Sequence, residues 1–170
     1  MKKRVAAVLI LALAVLTAGC TSKSAQEQEY VTIGNPWSEW TSLKEAEHAA
    51  GFPLHLPETI ADSYTALHYR TMDGDMKLLE VVYSDSEYEV TIRKAKGEDQ
   101  DISGVYGYDQ CETREWNNGE PVTFCTTTET ADKVHPVRIL LSHDGYSWSI
   151  YAPNGFEGNS YQGFLTAIFA

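Results

Sequence analysis

Cysteine and histidine are the residue types here with the most chemical capacity. Cys111 or Cys125 as a thiolate, with His135 or His143 as its base, would make a nucleophilic Cys/His hydrolase. That reading needs a free thiol in a chain whose first residues mark it for export, where paired cysteines usually oxidise. The five histidines stand at 48, 55, 68, 135 and 143, and none has a partner four residues away, so the zinc-protease spacing does not occur. The chain also lacks a Gly-x-Ser-x-Gly elbow, a phosphate-binding glycine loop and a dinucleotide fingerprint. Asp73 with Asp75, and Asp99 with Asp101, offer the oxygen ligands that calcium takes. Neither pair has the twelve-residue loop or its terminal Glu, and both read as solvated turns. The expectation is therefore no catalytic residue, no cofactor and no metal. Trp37 and Trp40, three apart, could form an aromatic platform for a sugar or a peptide, although rings at this spacing also staple a segment onto a core.

The N-terminus dictates where such chemistry would take place. Lys2, Lys3 and Arg4 precede an uninterrupted apolar run from Val5 to Leu16, the length of a signal-peptide core and short for a bilayer span. The run closes with Leu16, Thr17, Ala18, Gly19 and Cys20, small residues directly before a cysteine, in the order of a bacterial lipobox. Residues 1–19 then read as a lipoprotein signal peptide, and Cys20 as a lipidated mature N-terminus. Thr17 holds the place where such motifs usually carry Leu. The plainer alternative is an ordinary secretory signal with an accidental thiol at Cys20. Fatty acyl chains such as palmitate, each methylene contributing about 0.8 kcal/mol on burial, would anchor the protein to the membrane without a spanning helix.

Composition sets the limits for the rest. A chain of 170 residues, 43% apolar, with ten Tyr, five Phe and four Trp, has enough apolar surface for one ordered domain and too little length for a two-domain enzyme. The net charge of -11 argues against nucleic acid, whose backbone is bound by clustered Lys and Arg. Removing residues 1–19 takes three of the 13 basic residues and none of the 24 acidic ones, which leaves -14. Residues 20–34 are polar and lack periodicity until Tyr30, so they read as a tether ahead of a domain at 35–170.

The elements of that domain follow from period and punctuation. Ser42-Leu43-Lys44-Glu45 is a capping box; Leu43, Ala46, Ala49 and Ala50 share a face, and Gly51 is a stop, so a helix is expected over 43–50. Beyond Pro53 and Pro57 the period changes to two. Leu67, Tyr69 and Thr71, then Leu79, Val81 and Tyr83, then Tyr88, Val90 and Ile92 alternate with more polar neighbours, as three antiparallel strands would. Further strands are expected near 105–116, 120–128, 137–142 and 146–152. Tyr161, Phe164, Leu165 and Ile168 return to helical spacing, with Asn159 or Ser160 as cap. The expected fold is α+β, a twisted antiparallel meander of six to seven strands with an N-terminal and a C-terminal helix on one face. A closed barrel is the alternative.

Two turns decide registers. A two-residue turn at Asp144-Gly145 sets Ile139 opposite Ile150 and Leu141 opposite Trp148, whereas a three-residue turn would oppose them to serines. Asn117-Asn118-Gly119 suits a three-residue loop, which places Cys111 opposite Cys125; a two-residue Asn118-Gly119 turn would place Cys111 opposite Thr126 and the two sulfurs on opposite faces. Both loops are chemically reasonable, and an oxidising exterior favours the register in which the thiols meet. The resulting disulfide would stabilise the fold by about 3 kcal/mol in the chain-entropy model.

Several segments together resemble an uncharacterised domain of unknown function found in Gram-positive envelope lipoproteins and, in similar form, in some sporulation and anti-sigma proteins. They are Asn35-Pro36-Trp37, Ser42 to Glu47, Gly51-Phe52, Pro57, Asp101-Ile102-Ser103-Gly104 and Tyr146 to Ile150. The resemblance implies a location at the outer face of the cell membrane and brings no catalytic residues with it. The resulting expectation is a non-catalytic, extracytoplasmic lipoprotein, anchored through Cys20, that binds an envelope protein, a peptide or a wall glycan. The alternatives are a carrier or sensor of a lipid-like ligand and the Cys/His hydrolase.

Overall fold

Ser42 has extended backbone and its hydroxyl accepts from the Glu45 amide at 3.4 Å, so the chain turns into helix α1, Leu43–Ala50. Gly51, at φ 78°, adopts the left-handed conformation and donates to the Glu47 carbonyl, which ends the helix after two turns. The Glu45 carboxylate reaches one residue further back than a capping box requires: it accepts from the amide and hydroxyl of Thr41, at 3.2 and 2.7 Å. The structure is a computed structural model and describes residues 35–107, 110–117, 119–126, 137–156 and 158–170. The proposed signal peptide, Cys20 and the tether therefore lie outside the described residues, as does His135.

Nine strands form one open antiparallel sheet among the described residues. They are β1 (Trp37–Trp40), β2 (Thr59–Ile60), β3 (Tyr64–Met72), β4 (Leu78–Ser84), β5 (Glu89–Lys96), β6 (Gln110–Glu115), β7 (Pro121–Thr126), β8 (Arg138–His143) and β9 (Tyr146–Tyr151). The second helix is α2, Tyr161–Ile168. The class is α+β, but the strand count exceeds the expected six to seven. The two additional strands are β1 and β2, which are four and two residues long and both pair with β3. Strands so short carry too few alternations to be seen as period two.

The order is β1-β3-β4-β5-β9-β8-β7-β6, which is two meanders joined between β5 and β9. A single meander would have placed β5 beside β6. The segment after β5 explains the difference, because residues 97–107 do not turn back as a hairpin. Their amides and carbonyls bind side chains of β5, β8 and β9: Asp99 N donates to Ser142 Oγ at 2.9 Å, Gln100 N to Ser147 Oγ at 3.0 Å, and Arg93 Nη1 to the Ile102 carbonyl at 3.2 Å. The chain is thus led over one face of the sheet to its far edge. Residues 105–107, expected to start a strand, belong to this crossing.

One face carries the main core. Leu79, Val81 and Tyr83 of β4 lie beside Val90 and Ile92 of β5, and Ile150 of β9 and Ile139 and Leu141 of β8 extend the layer. Ala46 and Ala50 of α1 and Phe164, Leu165 and Ile168 of α2 belong to the same cluster. The Phe164 ring meets Tyr64 and Tyr83 edge-on, at 5.1 and 5.9 Å between centroids. Burying each such side chain contributes roughly 1.5 to 3 kcal/mol, which offsets the entropy of ordering these short elements. Two local expectations change. A bulge between Ala66 and His68 leaves Leu67 52% exposed rather than in line with Tyr69 and Thr71. Ser160 has helical backbone and makes no side-chain cap bond, so neither serine capping nor a sharp start defines α2.

Candidate functional site

The second face of the sheet is where polar chemistry gathers. Glu80 on β4 is buried, at 1% exposure, and forms ion pairs with Arg70 of β3 and Arg93 of β5, the latter at 2.7 Å. Both guanidiniums lie over the Trp37 ring, at 5.7 and 5.1 Å. Arg93 also holds the crossing segment through the carbonyls of Ile102 and Ser103. Gly104, at φ 67°, is required beside it: a Cβ there would collide with the Arg93 guanidinium. A smaller cluster of Leu78, Ala95 and Ile102 closes this end.

Toward the far edge, Arg138 takes the same part. It is buried on β8, directly across from Cys125 of β7, which is across from Cys111 of β6. Its Nη1 pairs with the Asp101 carboxylate and donates to Ser103 Oγ and the Val105 carbonyl, each at 3.2 Å. Its Nη2 points at the sulfurs, 3.4 Å from Cys125 Sγ and 3.8 Å from Cys111 Sγ. Asp101 in turn accepts from Ser103 Oγ at 2.6 Å and Ser103 N at 3.1 Å. The Asp101-Ile102-Ser103-Gly104 segment is therefore the clasp that two arginines hold against the sheet.

The β6–β7 hairpin has the three-residue-loop register. Every pair from Gln110 with Thr126 to Glu115 with Pro121 conforms, and Cys111 joins Cys125 with an S–S distance of 2.06 Å. Trp116 N donates to the Glu120 carbonyl at 2.8 Å, and Gly119 has φ 82°. The two-residue register at Asp144-Gly145 is likewise present, with Ile139 opposite Ile150 and Leu141 opposite Trp148. Both cysteines named as nucleophiles in the hydrolase alternative are joined in this bridge. His143 lies edge-on to Phe169 at 4.9 Å and 3.6 Å from the Asp144 carboxylate.

β6 is an edge strand, exposed at all six positions. Beside it, on the polar face, a groove of about 380 Å³ lies between the hairpin and the crossing segment, lined by Asp99, Asp101, Thr113, Thr123, Leu140 and Ser142 among others. Thr113 and Thr123 share a hydrogen bond of 2.8 Å across its floor. Glu112 and Arg114 pair at 2.7 Å along the edge; the bond from Arg114 holds the Glu112 carboxyl below its ordinary pKa and raises that of Arg114. Tyr106, in the segment leading toward β6, is 90% exposed. The groove offers hydroxyls and carboxylates beside a strand edge that pairs with no further strand among the described residues.

Trp37 and Trp40 do not make one platform. They are an odd number of residues apart on a strand, so Trp37 packs on the polar face against the second cluster while Trp40 lies on the core face, its Nε1 donating to Thr71 Oγ1 at 2.9 Å. Asp73 pairs with Lys77 at 3.6 Å, and Asp99 with Ser142 at 3.3 Å. A carrier of a lipid-like ligand would need room between helices and sheet. Among the described residues, Tyr64, Tyr83 and Phe164 pack into that space, and a hollow at the start of α1, bounded by Leu43, Leu56, Tyr69 and Tyr83, measures about 260 Å³. Arg138 and Arg93 were not legible as site residues, because the partners of each among the described residues are nine or more residues away in sequence. Comparison of the chain with family models, with curated proteins and with solved structures finds no match in any of the three.

Proposed function

We propose that this protein is a non-catalytic lipoprotein of the outer face of the cell membrane, anchored through Cys20, whose domain binds an extended segment of an envelope protein along β6. The observation that carries the reading is the pairing of a fully exposed edge strand with an adjoining groove of about 380 Å³. An edge strand presents unpaired main-chain donors and acceptors that a second strand can satisfy, and the groove receives alternate side chains of that strand. Glu112, Arg114 and Glu115 protect the edge from pairing with a like-charged copy of itself. They leave it open to a basic strand, which the mature charge of -14 also favours. The signal-peptide pattern, the lipobox and the family resemblance support the location; the filled space between sheet and helices supports a binding module over a carrier.

Three labelled probes test the reading by fluorescence anisotropy on the full-length protein: an octapeptide of alternating Lys and Val, its Glu and Val counterpart, and a disaccharide from peptidoglycan. The lysine peptide should bind best, and Thr123→Trp, which fills the groove, should weaken it about tenfold, or about 1.4 kcal/mol. Equal binding of the two peptides, preference for the disaccharide, or indifference to Thr123→Trp would each sink the peptide assignment.

A further inference from the structure

The position of Arg138 is more than a staple needs. A cross-strand bridge is complete with its two cysteines, yet here a buried guanidinium directs Nη2 at both sulfurs while Nη1 is taken by Asp101, Ser103 and Val105. The two sulfurs are also unequal. Cys111 sits on the exposed edge strand, whereas Cys125 is fully buried and the nearer of the two to Arg138, at 3.4 Å against 3.8 Å. An incoming thiolate can reach only Cys111, and the sulfur that leaves is the one beside the cation.

We propose that Cys111–Cys125 is an exchange-competent redox disulfide, opened by a protein dithiol, with Cys111 as the attacked sulfur and Cys125 as the leaving thiolate held by Arg138. The thiolate of the dithiol attacks Cys111 Sγ in line with the S–S bond. A mixed disulfide forms, and Cys125 departs with the electron pair, its charge met by the guanidinium. The second thiol of the partner then attacks the mixed disulfide, and Cys111 leaves. Two electrons and two protons pass from the dithiol to this protein, which becomes a dithiol while the partner becomes a disulfide; the reverse sequence reduces a partner disulfide and closes the bridge again. Leaving-group stability controls the rate of such exchange, so a cation at the leaving sulfur accelerates opening of this bond in one direction of attack. Among the described residues, the charged groups in contact with this cluster are Arg138 and Asp101. The carboxylate sits on the far nitrogen and is 41% exposed, so the guanidinium is the nearer and less screened charge. Arg138 is a positioning and charge-stabilising residue here, and the assignment is independent of what the groove binds.

The test uses the full-length chain with Cys20→Ser, so that only the pair contributes. In Cys111→Ala, ultraviolet absorbance against pH follows the Cys125 thiolate, which should form at least one pH unit below the ordinary thiol value of about 8.5. Arg138→Gln should raise that midpoint by about one unit and Arg138→Lys should largely restore it. Dithiothreitol should open the bridge of the otherwise unchanged protein while near-ultraviolet dichroism stays native, and glutathione should be found on Cys111 by mass spectrometry. A Cys125 midpoint at or above about 8.5, or a bridge that opens only as fast as the domain unfolds, overturns the proposal. If Arg138→Gln fails to fold, these two measurements on proteins that retain Arg138 decide alone.

Discussion

Tyr83 shows how one side chain can serve both the apolar core and a polar contact. Its ring meets Phe164, and its hydroxyl donates to the Pro57 carbonyl at 2.7 Å, tying the irregular proline segment to β4. Burial of the phenol pushes its pKa above the ordinary tyrosine range. The folded-state value is the raised one, so the unfolded chain ionises first as pH climbs. The stability due to this group is complete below the ordinary tyrosine range and declines from there toward the raised value. Tyr83→Phe should cost about 1 kcal/mol at neutral pH, the net worth of one hydrogen bond, and should flatten the alkaline part of the stability curve. Urea unfolding of both proteins between neutral and alkaline pH checks this, and an equal alkaline slope in the variant would contradict it. Lys94 is the opposite case: burial lowers its pKa, while its ammonium donates to the Pro53 carbonyl at 2.6 Å and lies over the Tyr146 and Trp148 rings.

At the scale of elements, the crossing segment 97–107 is the decisive one. It has no strand or helix of its own and is held by Arg93, Arg138 and three serines of β8, β9 and the segment itself. Gly104 makes this attachment feasible. Gly104→Ala would place a methyl group at positive φ and against the Arg93 guanidinium, which Glu80 and the Ile102 carbonyl hold in place. The expected cost is about 1 to 3 kcal/mol, with a transition several degrees lower on heating. A loss below about 0.5 kcal/mol would mean that the clasp yields freely and does not direct the chain.

For the whole molecule, anchoring is the testable consequence of the N-terminal pattern. Cells fed a fatty-acid analogue should label the wild-type protein, and Cys20→Ala should abolish the label and leave the chain unprocessed or released. Persistent labelling of the variant would refute lipidation at Cys20. The rest of the molecule divides by the range of the forces involved. Helix α1, its cap and its glycine stop, the alternation of β4 and β5, and the Asp144-Gly145 and Asn117 to Gly119 turns were all legible, because each depends on residues within a few positions of one another. Even the Cys111–Cys125 pair followed from turn geometry plus the expected compartment. Tertiary structure alone decided that β5 pairs with β9, that Trp37 and Trp40 face opposite ways, and that Leu67 bulges outward. It also brought Arg138 to the two sulfurs and Asp101, which lie 13, 27 and 37 residues away. Periodicity records which side of an element is apolar; it carries no information on which distant element meets that side, or on the partner of a single buried charge.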